Sequence, residues 1–171
     1  MKNDIYDKNL AQAIALSLEN VHKVTINDYK NEDVGIRSIF VYGSLRPDDN
    51  SNMSWTKQAC DGMNYYKSIV KDHCLYFDKY ACVKSNKPGK QVIGYILTPD
   101  PKRKDVNWFE KLKYYDWVEK YNLLNKSNNL YNREITEAIN MTTKEKVSCY
   151  IYIKNNCSEN NEILEGDWLK R

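Results

Sequence analysis

The stretch of sequence that decides the fold is Ile39-Phe40-Val41-Tyr42-Gly43-Ser44-Leu45-Arg46-Pro47. Its first four residues are apolar or aromatic and favour strands, and they end abruptly at a glycine, a small hydroxyl residue and, shortly after, a proline. This pattern predicts a buried strand that runs into a tight turn with an exposed backbone. The N–H groups of such a turn point one way and suit a carboxylate or an oxyanion. The sequence therefore predicts an anion-binding turn at residues 42–45.

Composition and charge narrow the classes of function. The 171 residues suffice for one compact domain with a short appendage, and 42% of them are hydrophobic. The net charge of +3 is too small to indicate nucleic-acid binding, which needs a clustered basic face. The sequence shows neither a signal peptide nor an apolar run of membrane-spanning length. We therefore expect a cytoplasmic protein with no nucleic-acid or membrane partner.

The cysteines and histidines argue against several catalytic mechanisms. The five cysteines are odd in number and form no CxxC pair, so we expect no zinc site and free thiols in a reducing compartment. Only His22 and His73 are available for a Ser-His or Cys-His mechanism, and His22 lies in a polar segment. We therefore expect a carboxylate to carry any acid–base chemistry.

The pattern of apolar residues divides the chain into three segments. Residues 1–20 are predicted to contain a separate N-terminal helix, residues 21–37 a polar linker, and residues 38–171 the folded domain. Within the domain, short apolar strands surround one long helix, predicted over residues 105–124 with Asp105 as its N-cap. This order of elements predicts an α+β fold, a small mixed or antiparallel β-barrel with flanking helices.

One carboxylate continues the apolar stripe of the long helix. Glu119 follows Leu112 and Tyr115 at helical spacing, so the three side chains share a face. Burial there would raise the pKa of Glu119 towards the range that a general acid/base needs. Asp116 on a neighbouring face is the rival candidate. Alternatively, a glutamate at a helix end simply extends its carboxylate into water.

Five short motifs occur in the order found in a known enzyme family. A strand ending in Tyr-Gly-Ser/Thr-Leu is matched by Val41–Leu45, and a helix ending in Leu-Asp-x-x-Glu by Tyr115–Glu119, where tyrosine replaces leucine. A Leu-Tyr-x-Arg strand entry is matched by Leu130–Arg133, a glycine-containing apolar strand by Val92–Leu97, and a terminal Gly-Asp-Trp by Gly166–Trp168. The chain thus resembles the γ-glutamyl cyclotransferase-like family, which includes γ-glutamylamine cyclotransferases.

The resemblance implies a barrel of about six strands and an intramolecular cyclotransferase reaction. A γ-glutamyl amine or γ-glutamyl amino acid would release 5-oxoproline when its own α-amine closes on the γ-carbonyl, so no protein nucleophile is needed. Glu119 would be the general acid/base, and the backbone of Tyr42–Leu45 would hold the small substrate. Tyr131 and Arg133 are candidates for orienting it; the alternative is an ordinary strand tyrosine and a surface arginine. No metal and no organic cofactor are implied.

A separate resemblance concerns the N-terminal helix. Leu10, Ala13 and Ser17 fall at the positions of the apolar, alanine and serine residues of a ubiquitin-interacting motif. Small side chains at these positions let a helix lie close to an apolar patch on a partner. The helix would otherwise pack on its own domain or dimerise. With ubiquitin as its partner, the alternative function is a non-catalytic adaptor with the cyclotransferase fold.

Overall fold

The computed structural model describes residues 24–171 of the chain. The predicted N-terminal helix, with Leu10, Ala13 and Ser17, lies outside the described residues. The helices and strands are, in chain order, α1 (Ile26–Asn31), β1 (Ile39–Val41), α2 (Ser54–Cys60), β2 (Met63–Lys71), β3 (Cys74–Asp78), β4 (Tyr80–Lys84), β5 (Gln91–Pro99), α3 (Trp108–Val118), β6 (Tyr131–Asn140) and β7 (Lys146–Lys154). Short 3₁₀ turns occupy Lys126–Asn128, Leu164–Gly166 and Trp168–Lys170.

Five of these strands close into a barrel in the order β1-β5-β2-β6-β7. Neighbouring strands are antiparallel, except that β1 runs parallel to β7, with Ile39 opposite Tyr150. Strands β3 and β4 form a separate two-stranded hairpin. The α+β class and the mixed barrel are therefore confirmed, although the barrel has five strands because the hairpin stays outside it.

Strand β1 is buried on both of its faces. Successive strand side chains point to opposite sides, and Ile39 and Val41 enter one hydrophobic cluster while Phe40 enters another. All three residues are buried. Burial on both faces explains why β1 is apolar throughout rather than alternating. The buried strand also places the turn that follows it against the core.

Part of the segment predicted as a linker, residues 21–37, is folded onto the barrel. Helix α1 begins at an N-cap, Thr25, whose side chain and backbone exchange hydrogen bonds with Asp28 in a capping box. The ring of Tyr29 is buried in the main hydrophobic cluster. A helix of six residues is too short to show an apolar periodicity, so the sequence pattern indicated only a polar segment.

Helix α3 is shorter than predicted. It covers Trp108–Val118, and its N-cap is Asn107, whose side chain accepts from two backbone N–H groups of the first turn; Asp105 is not the cap. After the helix the chain turns at Lys120, where φ is positive. No helix of the described residues is long and apolar enough to cross a membrane.

The cysteines differ from the expectation of free thiols. Cys82 of β4 and Cys157, after β7, form a disulfide across a separation of 75 residues, with a Cα–Cα distance of 6.0 Å. This distance lies in the range that a disulfide spans. Cys60, Cys74 and Cys149 are free. The spacing of two cysteines so far apart carries no local signal of their pairing.

Candidate functional site

The turn after β1 presents a row of backbone donors. The N–H group of Arg46 donates to the carbonyl oxygen of Gly43 at 3.1 Å and closes the turn. Within residues 24–171, the N–H groups of Gly43, Ser44 and Leu45 donate to no backbone or side-chain acceptor. We call residues 42–45 the cradle. Its free donors fit an anionic group of a ligand.

Helix α2 holds the cradle from one side. The indole N–H of Trp55 donates to the hydroxyl oxygen of Ser44 at 3.1 Å, and the hydroxyl of Thr56 donates to the carbonyl oxygen of Ser44 at 2.5 Å. The side chain of Leu45 is buried in the hydrophobic core. Because these side chains are already engaged, Ser44 and Leu45 can contribute to a ligand site chiefly through their backbone.

The β3–β4 hairpin covers the cradle from another side. A Cβ atom added to Gly43 would lie 2.7 Å from the Cβ of Ala81 in β4, so only glycine allows this close approach. The carbonyl oxygen of Ala81 accepts a hydrogen bond from the Tyr131 hydroxyl at 2.7 Å. Ala81 therefore links the cradle to β6.

A buried arginine follows the cradle and was missed as a site residue by the sequence analysis. The side chain of Arg46 has no solvent exposure, and its guanidinium pairs with Asp48 at 2.8 Å and Asp167 at 2.6 Å. Asp167 belongs to the Gly-Asp-Trp motif near the C-terminus, 121 residues away. Both motifs were visible in the sequence, but no local pattern predicts that they pair. This ion pair ties the end of the chain to the cradle.

Glu119 follows helix α3 directly and caps its C-terminus, with its N–H group bonded to the carbonyl oxygen of Tyr115 at 2.9 Å. Burial raises the pKa of Tyr42, and the charges of Tyr131 and Glu119 raise it further. Burial likewise raises the pKa of Tyr131, with Glu119 as the next cause. The Glu119 carboxyl group therefore lies within electrostatic reach of the first residue of the cradle and of β6.

The carboxyl group of Glu119 has a raised pKa. Burial raises its pKa to about 8, and the charge of Asp116 contributes to the rise. Within the described part of the chain, no donor forms a hydrogen bond with this carboxyl group. Glu119 is therefore mostly protonated at neutral pH, and its oxygen atoms are available to a ligand.

Asp116, the rival candidate, is in a different situation. Its side chain is buried, and its Oδ2 atom accepts from the Tyr29 hydroxyl at 2.8 Å and from Arg133 at 2.6 Å. Its Oδ1 atom accepts from the Tyr152 hydroxyl. Burial raises its pKa to about 6, against the opposing effect of Arg133 and the two phenols. Asp116 is thus ionised at neutral pH with both oxygen atoms occupied, which favours Glu119 as the acid/base.

The two residues predicted to orient a substrate lie in different surroundings. Glu119 contributes to the raised pKa of Tyr131, so the two side chains interact electrostatically. Arg133 is not on the surface: only 7% of its side chain is exposed. Its guanidinium lies over three aromatic rings, at 5.6 Å from that of Tyr29, 5.0 Å from Tyr121 and 4.9 Å from Tyr150.

Fold and site together describe a β-barrel protein with a backbone cradle after β1 and, after α3, a carboxyl group of raised pKa that interacts electrostatically with the first residue of that cradle. The family model described as "Gamma-glutamyl cyclotransferase, AIG2-like" matches residues 39–170, and the chain belongs to this family. No curated protein sequence matches the chain.

Solved structures show the same fold. An AIG2-like protein from Mus musculus superimposes with a TM-score of 0.52 and 16% identity, over 72% of this chain and 80% of that one. A protein from Arabidopsis thaliana gives a TM-score of 0.51 and 18% identity, over 75% of each chain. YkqA from Bacillus subtilis superimposes with a TM-score of 0.50 and 16% identity, over 77% of this chain and 39% of that one. At these identities the likeness shows the fold alone.

Proposed function

We propose that the chain is an intramolecular cyclotransferase that releases 5-oxoproline from a γ-glutamyl amine or γ-glutamyl amino acid. Family membership supports this class of reaction. The observation that carries the proposal is the carboxyl group of Glu119, which has a raised pKa, has no hydrogen-bond donor among residues 24–171 and interacts electrostatically with Tyr42, the first residue of the cradle. A reaction that moves protons from one nitrogen atom to another needs such a group.

The cradle is the proposed binding site of the substrate's α-carboxylate. The three free N–H groups of residues 43–45 suit a carboxylate, which accepts hydrogen bonds with both oxygen atoms. With the α-carboxylate held there, the α-ammonium group is directed towards Glu119. Tyr131, whose hydroxyl is held by Ala81 of β4 and whose pKa is raised in part by Glu119, would limit the orientations of the γ-glutamyl chain.

The reaction uses only groups of the substrate and one proton carrier. The Glu119 carboxylate removes a proton from the α-ammonium, and the freed amine attacks the γ-carbonyl carbon, so a C–N bond forms and closes a five-membered ring. Glu119 returns this proton to the leaving nitrogen, and the C–N bond to that nitrogen breaks. The ring nitrogen then gives up its second proton, which Glu119 passes to the departing amine. The products are 5-oxoproline and the protonated amine; no water is consumed and nothing is oxidised.

Protonation of Glu119 sets the expected pH dependence. Removal of the ammonium proton needs the carboxylate form, which becomes abundant only as the pH approaches the Glu119 pKa of about 8. We therefore expect kcat/KM to rise with pH up to about this value, because kcat/KM reports ionisations of the free enzyme.

The test is turnover of a panel of γ-glutamyl dipeptides and γ-glutamyl-lysine by the full-length chain, with 5-oxoproline measured by mass spectrometry. We expect product with the wild type and a loss of roughly 10²- to 10⁴-fold with Glu119→Gln, as for removal of a general acid/base. The matched control is Glu110→Gln, which changes an exposed glutamate in the first turn of the same helix and leaves the rate unchanged. Absence of product from every substrate would refute the proposal.

The alternative function, a non-catalytic adaptor, rests on the spacing of Leu10, Ala13 and Ser17 in the N-terminal segment. It remains a prediction. Titration of ubiquitin into the isotope-labelled full-length chain tests it by NMR: binding shifts the resonances of these three residues, and Ala13→Arg abolishes the shifts. An adaptor predicts shifts and no turnover, whereas an enzyme predicts turnover whether or not ubiquitin binds.

A further inference from the structure

Next to the proposed site lies a buried polar cluster that the reaction itself does not use. Its centre is Asp116, in the last turn of α3, and its three donors come from three other elements: Tyr29 from α1, Arg133 from β6 and Tyr152 from β7. Buried carboxylates with several strong donors have one well-defined geometry, because each lost bond leaves an unsatisfied polar group. The last turn of α3 is therefore fixed to the barrel at this point.

The cation of the cluster is itself held in place. The guanidinium of Arg133 contacts the rings of Tyr29, Tyr121 and Tyr150, so it is enclosed by aromatic faces as well as paired with Asp116. A planar guanidinium that is stacked and paired in this way has little freedom to reorient. Arg133 therefore gives Asp116 a fixed partner rather than a mobile one.

Tyr152 connects the cluster to the cradle. Its hydroxyl donates to Asp116, while its backbone carbonyl oxygen accepts a hydrogen bond of 2.5 Å from the hydroxyl of Tyr42. Tyr42 is the first residue of the cradle, and Asp116 lies three residues before Glu119. One residue of β7 thus contacts both the element that carries the acid/base and the element that carries the cradle.

We propose that Asp116 is a positioning residue: with Tyr152 it fixes the end of α3 so that Glu119 faces the cradle. The same hydrogen bonds keep the charge of Asp116 three residues from Glu119, where it favours the proton-bearing form of Glu119. This inference rests on the proposed function, because it assigns a role within that site. Asp116 touches no reacting atom, since its oxygen atoms are occupied by protein donors.

The surroundings of Glu119 support an electrostatic role for Asp116. The groups that interact electrostatically with Glu119 are Asp116 from α3, Tyr42 from the end of β1, Tyr131 from β6 and Tyr152 from β7. Burial raises the pKa of all three phenols, so they stay neutral at physiological pH. Among the described residues, the charged group that raises the pKa of Glu119 is therefore Asp116.

The first test measures the protonation of Glu119 directly and does not depend on turnover. The carboxyl carbon of Glu119 is titrated by NMR in the full-length wild type and in Asp116→Asn. We expect the midpoint to fall by about one pH unit when the like charge is removed. An unchanged midpoint would overturn the electrostatic part of the proposal. If Asp116→Asn fails to fold because Arg133 is left unpaired, the double variant with Arg133→Gln removes the like charge without leaving a buried cation, and the midpoint should fall in the same direction but by less.

The second test separates positioning from general stability. Tyr152→Phe removes one hydroxyl but keeps the ring and the carbonyl group that holds Tyr42. We expect kcat to fall roughly tenfold, as for a small misplacement of a catalytic group, with little change in KM. The matched control is Tyr115→Phe, which removes a buried hydroxyl bonded to the carbonyl oxygen of Ala59 at 2.7 Å. It should lower stability without lowering kcat.

The outcomes distinguish this inference from the proposed function. If the wild type releases no 5-oxoproline, the proposed function fails, and the NMR titration still decides whether Asp116 controls the protonation of Glu119. If the wild type is active and Tyr152→Phe behaves like Tyr115→Phe, the enzyme stands and the positioning role of Asp116 is refuted.

Discussion

Replacement of Glu119 by glutamine should stabilise the protein at alkaline pH while it abolishes turnover. The reason is that burial raises the pKa of this carboxyl group from its ordinary value of 4.5 to about 8. Between these two values the folded chain holds a proton that the unfolded chain has released. The free energy of unfolding of the wild type therefore falls as the pH rises from about 4.5 to 8, whereas glutamine has no proton to lose.

The size of the effect follows from the pKa difference. Each unit of difference between the folded and unfolded states corresponds to ~1.4 kcal/mol, so the whole rise amounts to ~5 kcal/mol. Glu119 keeps some solvent exposure, and screening by water reduces the expected gain to about 2–4 kcal/mol at pH 9. At pH 4 the neutral carboxyl group resembles the amide, and the two proteins should be equally stable.

The assay is urea unfolding of the full-length wild type and Glu119→Gln at intervals from pH 4 to pH 9. The difference between the two free energies of unfolding is the relevant quantity, because titrating groups that do not interact with Glu119 contribute equally to both proteins and cancel. Glu110→Gln serves as the control for replacement of an exposed glutamate in the same helix. A difference for Glu119→Gln that stays constant across this pH range would refute the reasoning, since it would show that the carboxyl group has an ordinary pKa.

Three further predictions concern the surroundings of the cradle. Gly43→Ala places a methyl group 2.7 Å from the Ala81 side chain; kcat/KM should fall roughly tenfold, and adding Ala81→Gly should restore it. Arg46→Met leaves two acidic partners without their buried cation, so urea unfolding should show a loss of about 3–5 kcal/mol, together with a higher KM. Dithiothreitol should lower the unfolding free energy of the wild type by about 2–4 kcal/mol but leave that of Cys82→Ser unchanged, because the bond to Cys157 is already absent.

The elements of the site that sequence reasoning predicted are those encoded by adjacent residues. The apolar run that ends at Tyr42-Gly43 predicted strand β1 and its turn, because both the strand propensity and the break are local properties. Helical spacing likewise singled out Glu119 beside Tyr115. The predicted helix extended to residue 124, however, and the structure instead ends it at Val118, so that Glu119 lies at the C-cap.

Contacts between distant segments could not be predicted in this way. The pairing of Arg46 with Asp167 joins positions 121 residues apart, and the bond from Tyr29 to Asp116 joins positions 87 apart. The neighbouring residues in the sequence do not reveal these pairings, because they do not distinguish a buried arginine from a surface arginine. The buried position of Arg133 was missed for the same reason: its three aromatic neighbours come from three different parts of the chain and meet only after folding.

The stability cost of Glu119 and the contacts around Asp116 are two aspects of one requirement. A carboxyl group can hold a proton at neutral pH only where water is largely excluded, and such burial opposes folding once the group ionises. The barrel must therefore hold the end of α3 in place by other means, and the three donors to Asp116 do so at a point three residues away. Loss of the Tyr152 hydroxyl should consequently lower kcat even though Glu119 itself is intact, whereas loss of Glu119 should leave the fold more stable at alkaline pH.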